Sequence, residues 1–193
     1  MKNRLCLLLC LAWLAACSPP PPAGFASTDL TGATFARHLE LADHHGQPRT
    51  LADFRGKVVV VFFGYTACPD ICPTTLARLA EVMQKLGVDG ERVQVLFVSL
   101  DPERDSAEHL KTFVPWFHPS FIGLRGDAAQ TKAVSEEFRV FSARKKVDGE
   151  LGYVLDHSTG AYVFDPAGRI RLYVKDSASV EEIVSDIRLL LKG

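Results

Sequence analysis

The sequence predicts an α/β protein with a mostly parallel central sheet, flanking helices and a β-hairpin close to the C-terminus. Three observations predict it. Val58 to Phe63 is an unbroken β-branched and aromatic run, the pattern of a strand buried on both faces. Strand-like and helix-like segments alternate after it. Asp165-Pro166-Ala167-Gly168-Arg169 then separates two short apolar runs, which is a hairpin signal. The chain has 193 residues, 47% hydrophobic and 23% charged, a globular composition that excludes wholesale disorder and suits one domain with a surplus at one end.

The elements follow in order. Leu39 to Ala42 alternates apolar and polar before a His44-His45-Gly46 turn. The strand Val58–Phe63 leads into a loop, Gly64 to Cys72, and Pro73 suits a first helical position. Leu76, Leu79, Ala80, Met83 and Leu86 recur at helical spacing until Gly87 stops them. Val93 to Leu100 is a second strand. Asp105-Ser106-Ala107-Glu108 has a capping-box pattern and opens a helix to about Phe117. Phe121–Leu124 is a short strand, and Asp127 caps a further helix to about Phe138. Ala143 to Gly152 is charged and patternless, and is expected to be a surface loop. Tyr162–Phe164 and Ile170–Val174 form the hairpin, and Ser179-Val180-Glu181-Glu182 opens an amphipathic last helix. A parallel core followed by a late antiparallel hairpin and a closing helix is thioredoxin-like architecture.

The N-terminus has a different character. Lys2 and Arg4 precede a run from Leu5 to Ala16 without a charge, too short to span a bilayer and suited to a signal-peptide core. It ends in Leu14-Ala15-Ala16-Cys17, which resembles the bacterial lipobox. That resemblance implies cleavage before Cys17 and attachment of a diacylglycerol to its sulfur. Ser18 and Pro19 to Pro22 follow, a run that favours extended polyproline and serves as a semi-rigid spacer. The expected organisation is a lipoprotein signal peptide at 1–16, a lipid-anchored Pro-rich linker at 17–31 and a single domain at 32–193. The expected location is the bacterial envelope, tethered to a membrane and facing the periplasm. From Cys17 onward 20 basic residues face 23 acidic ones. With a sequence pI of about 6.6 and no Lys/Arg run, nucleic acid is excluded as a partner.

Cys6 and Cys10 leave with the signal peptide, so the chemistry rests on Cys68-Pro69-Asp70-Ile71-Cys72-Pro73. Two cysteines four apart lie between a buried strand and a helix start. A helix N-terminus favours thiolate over thiol, and thiolate is the form that binds a soft metal or attacks a disulfide. In an oxidising compartment a structural disulfide, or a pair of inert core thiols, competes with that reading. The position does not: a tight loop at the end of a sheet is where α/β proteins build sites.

With these residues in view, 55–193 resembles the Sco/SenC family of copper-handling proteins of the respiratory chain. Gly56-Lys57 through Phe63-Gly64-Tyr65-Thr66 into the CxxxC loop is similar to the family's strand and loop. Asp101-Pro102-Glu103-Arg104-Asp105, Phe138-Arg139-Val140-Phe141, and Asp156-His157-Ser158 with Phe164-Asp165-Pro166-Ala167-Gly168 follow in family order. The resemblance implies copper ligands at Cys68, Cys72 and His157, with Ala67 standing where many members carry His. It also implies the dinuclear copper centre of cytochrome c oxidase as recipient, and a thiol reductant or another copper chaperone as a second partner. Two thiolates and one imidazole suit Cu(I), whereas Zn(II) prefers a fourth ligand; the expected cofactor is copper, as Cu(I), Cu(II) or both.

The remaining polar residues have plainer expectations. His44 and His45 are expected in solvent, His109 and His118 on the surface or in packing. Asp105 is expected to cap its helix and Asp70 to face solvent and a partner rather than the metal; Asp101 is a candidate either for supporting the site from behind its ligands or for a weak oxygen contact to oxidised copper. Three functions fit the motif: a copper chaperone, a thiol–disulfide reductase using Cys68 and Cys72 as a redox pair, and a copper- or redox-responsive sensor. A peroxidase is disfavoured, because Tyr65 stands where the peroxidatic motif carries Thr.

Overall fold

The computed structural model describes residues 24–193; the signal peptide, Cys17 and the proline run lie outside the described residues. The sheet has eight strands in the order β1-β10-β9-β4-β5-β6-β2-β3. These are β1 Thr28–Asp29, β2 Glu40–Asp43, β3 Pro48–Thr50, β4 Val58–Gly64, β5 Val93–Ser99, β6 Ile122–Arg125, β9 Ala161–Phe164 and β10 Ile170–Val174. Four helices accompany them: α1 Ile71–Leu86, α2 Ala107–Phe117, α3 Ala128–Glu137 and α4 Val180–Lys192. Parallel pairing joins β4 to β5 and β5 to β6, and antiparallel strands extend this core on both sides.

β4 and β5 are buried along their whole lengths. Alternation across the pleat splits their side chains between two cores. Val58, Val60, Phe62, Val95 and Phe97 pack with α1, α2 and α4 on one face. Val59, Val61, Phe63, Leu96 and Val98 meet Phe138 and the residues before β3 on the other. The caps expected at Asp127 and Ser179 are present, each with a reciprocal bond from Gln130 or Glu182.

Five expectations change. Residues 24–31, expected to be linker, belong to the domain edge: β1 pairs with β10, and the Ala26 and Ser27 amides donate to buried Asp186 at 2.8 and 2.9 Å. Helix α1 begins at Ile71, two residues before Pro73, because an N-terminal turn does not need the N–H that proline lacks. Ser106, not Asp105, caps α2 by accepting from the His109 amide. The charged stretch after Phe141 is a loop only at 147–152. β7 Ser142–Lys146 and β8 Tyr153–His157 form a separate antiparallel ribbon, which no apolar alternation announces because every β7 residue is exposed. His44 is likewise buried, with Nδ1 accepting from the Gly123 amide at 3.0 Å; His45 is exposed as expected.

Candidate metal centre

The site forms where three segments meet at the C-terminal ends of the parallel strands. Leaving β4, the chain turns at Tyr65, whose carbonyl accepts from the Cys68 amide at 3.3 Å. Asp70 occupies the N-cap position of α1, and Cys72 is the second helical residue. The Cys72 amide is therefore one of the helix's unpaired N–H groups, and it donates to Cys68 Sγ at 3.4 Å. Cys72 is fully buried and Cys68 is 8% exposed. Both are free thiols.

His157 arrives from the opposite side as the last residue of β8. Its Nε2 lies 3.5 Å from Cys72 Sγ, and its Nδ1 lies 2.8 Å from the Ser158 carbonyl oxygen. A carbonyl only accepts, so the proton sits on Nδ1 and the Nε2 lone pair is left facing the sulfurs. The ligand atoms of Cys68, Cys72 and His157 all lie within 4.8 Å of one another, and among the described residues they are the group of that kind. The residues named from the sequence are thus brought together, by the ribbon that the sequence did not reveal.

The electrostatics separate the two thiols. Hydrogen bonding from Cys72 draws the Cys68 thiol well below the ordinary thiol range; burial opposes this, while the Asp70 and Cys72 amides add to it. The neighbouring Cys68 sulfur and burial push Cys72 up. One thiolate thus shares its neighbour's proton, and a soft cation entering between the sulfurs displaces that proton.

Three supporting residues carry more than the sequence suggested. A Cβ on Gly64 would lie 2.8 Å from Cys72 Sγ, so the buried sulfur occupies the space that glycine leaves. Asp105 is fully buried. It accepts from the Ser99 and Thr66 hydroxyls, both at 2.6 Å, and from the Thr66 amide, tying the cysteine loop to the end of β5. Tyr65 is buried and meets the His157 ring edge-to-face, with centroids 5.8 Å apart. The doublet Gly64-Tyr65 at a strand end and an Asp three residues past a Pro are the only traces of these roles in the sequence.

Other candidates stay outside the ligand group. Asp101 is buried, but its carboxylate accepts from the Tyr153 hydroxyl at 2.8 Å and from Arg104; it is not an oxygen partner within this cluster. Asp70 faces solvent as expected. Ala67 is half-buried and packs against the core. His38, His109 and His118 are not in that ligand group; His118 pairs with Ser120.

A protein-family model described as SCO1/SenC matches residues 27–192. The chain belongs to the SCO1/SenC family. The mitochondrial SCO2 homologue of Mus musculus is 41% identical over 152 residues, 78% of this chain and 60% of the mouse protein, so this chain spans about three fifths of that relative's length. Bradyrhizobium japonicum ScoI, whose solved structure has copper bound, superposes with a TM-score of 0.72 at 35% identity, covering 80% of this chain and 98% of that one. The apo Sco1 protein of Thermus thermophilus gives a TM-score of 0.77 at 37% identity, covering 87% and 98%. The Sco fold thus accounts for nearly the whole described chain. Its helices and strands place the CxxxC loop and the histidine strand face to face.

Proposed function

We propose that this Sco protein is a copper chaperone, holding copper through Cys68, Cys72 and His157 and passing it by ligand exchange to the dinuclear copper centre of cytochrome c oxidase. One observation carries the reading: two thiol sulfurs and an imidazole nitrogen with a free lone pair lie within 4.8 Å of one another. Soft sulfur donors with one nitrogen select copper over harder cations. Three ligands leave the metal open, so an incoming thiolate from a recipient can attack it without prior dissociation. Copper bound to the Bradyrhizobium japonicum relative supports copper as the metal. The two thiols need to be reduced before loading, so a thiol reductant or a copper-donating chaperone acts upstream.

The asymmetric thiols favour a second reading, a thiol–disulfide reductase in which Cys68 attacks and Cys72 resolves. His157→Ala separates the two. The chaperone loses its thiolate-to-Cu(II) absorption and oxidase copper-centre assembly fails, while disulfide exchange through Cys68 and Cys72 survives. Normal oxidase assembly with that variant establishes the reductase instead. The chaperone works from a membrane surface in this proposal: Cys17 carries the lipid, the proline run spaces the domain, and the site faces the periplasm. Cys17→Ser then leaves the membrane fraction, because the acylated residue is the anchor; unchanged membrane association of the variant rules the anchor out.

A further inference from the structure

The β7–β8 ribbon is not hydrogen-bonded to the main sheet, and a two-stranded ribbon has little stability of its own. Leu155 in the middle of β8 packs against both cores, and the outer part of the ribbon is held to the body through residues 101–104, at the end of β5. Arg104 Nη1 donates to the Leu151 and Tyr153 carbonyls at 3.2 and 3.0 Å. Its guanidinium carbon sits 3.7 Å from the centre of the Tyr153 ring, and Arg144 covers the same ring at 4.0 Å. Arg104 also pairs with buried Asp101, which accepts from the Tyr153 hydroxyl at 2.8 Å. Arg144 closes the arrangement on Glu103 at 2.9 Å. Arg104 lies 5.6 Å from the Tyr65 ring as well, and Tyr65 in turn meets His157.

Tyr153 and His157 are the two ends of β8 and, four residues apart, lie on one face of the strand. Fixing Tyr153 therefore fixes the direction from which the imidazole approaches Cys72. We infer that Arg104 is a positioning residue for the metal site, which clamps Tyr153 and so holds His157 Nε2 against the two sulfurs. The inference rests on the copper reading above. Its consequence is selective. Cu(I) is held by two thiolates, whereas Cu(II) depends on the nitrogen donor, so loosening the ribbon weakens Cu(II) far more than Cu(I). Charge alone predicts the reverse sign, since removing a nearby cation favours a divalent metal.

The test compares Arg104→Met, Arg104→Lys and Tyr153→Phe in the reduced full-length protein, with Lys145→Ala on the same ribbon as control. Arg104→Met keeps the aliphatic stem and removes the guanidinium. Expected is a loss of Cu(II) affinity of about 10-fold or more, a weakened thiolate-to-Cu(II) band, and Cu(I) affinity within about 3-fold of the parent. Amide exchange of β7–β8 accelerates while β4 and β5 are unchanged. Arg104→Lys, which retains the Asp101 pair, recovers part of the loss, and Tyr153→Phe shifts the same way to a smaller extent. Wild-type Cu(II) affinity in both Arg104→Met and Tyr153→Phe overturns the clamp, as does an equal loss of Cu(I) and Cu(II). If Arg104→Met does not fold, Tyr153→Phe decides, since it removes one hydrogen bond. If the parent itself takes up no copper, the copper reading falls, and unchanged amide exchange in β7–β8 then refutes the clamp separately.

Discussion

Gly64→Ala tests how tightly the backbone is fitted to the buried sulfur. The added methyl would sit 2.8 Å from Cys72 Sγ and 2.9 Å from Phe97 Cε2, close to 1 Å inside an ordinary contact of about 3.5–4.0 Å. Neither neighbour has room to give, because Cys72 and Phe97 are fully buried. Gly64 closes a strand paired to β5 at Ser99, so its backbone resists moving. Overpacking of this kind costs about 1–3 kcal/mol, and for a domain of this size each kcal/mol lowers Tm by about 2–4 °C. The expected fall is therefore about 2–12 °C. The cheapest escape is rotation of the Cys72 side chain, which carries Sγ away from its place 3.5 Å from His157 Nε2. Relief of strain and damage to the site are thus the same movement. Thermal melting and the thiolate-to-Cu(II) band, measured on one sample, read both. An unchanged Tm with an unchanged band refutes the fit; a lowered Tm with a normal band shows that Phe97, not Cys72, absorbs the methyl.

Two further outcomes follow from the charges. Small alkylating reagents at about pH 6.5 should label Cys68 and spare Cys72, because Cys68 is held as thiolate below the usual thiol range near 8.5 while buried Cys72 keeps its proton. Equal labelling, or labelling of Cys68 only near pH 8.5, contradicts this; oxidation to the Cys68–Cys72 disulfide should abolish both labelling and copper uptake until reductant is added. Asp165 secures the β9–β10 turn through the Ala167 and Arg169 amides and the guanidinium groups of Arg169 and Arg171. Burial would raise its carboxyl, but these partners outweigh burial and hold it below the usual carboxylate range. Its contribution is therefore complete above the unfolded pKa of about 3.9 and is lost as pH falls through the depressed folded value. Asp165→Asn should cost about 1–2 kcal/mol near neutrality after allowance for screening at Arg169. The gap between denaturant melts of the two proteins should begin to close below about pH 3.9 and vanish once the pH passes the depressed folded value; a gap that stays constant through this acid range refutes the assignment.

Local signals in the chain determined most of the architecture, and the resemblance to the Sco/SenC family pointed to all three candidate ligands. Val58–Phe63 is continuously apolar and Val93–Leu100 nearly so, the pattern of two-faced strands, and Asp127 and Ser179 carry their own capping partners three residues on. Cys68 and Cys72 were legible from their spacing between a buried strand and a helix start, and His157 from the resemblance of Asp156-His157-Ser158 to the family's segment. What only the tertiary structure decided concerns groups whose partners lie far along the chain. The β7 strand is a run of exposed polar residues that becomes a strand by pairing with β8. His44 looked like a solvated turn residue until the Gly123 amide, from β6, filled its Nδ1. Asp105 had a good local role as a helix cap, and Ser106 took it. Thr66 and Ser99 gave the buried carboxylate three donors instead. A sequence window reports propensity, capping and pattern, which act within a few residues. A buried polar group must be satisfied wherever donors happen to converge, and that condition is set only when distant strands pack.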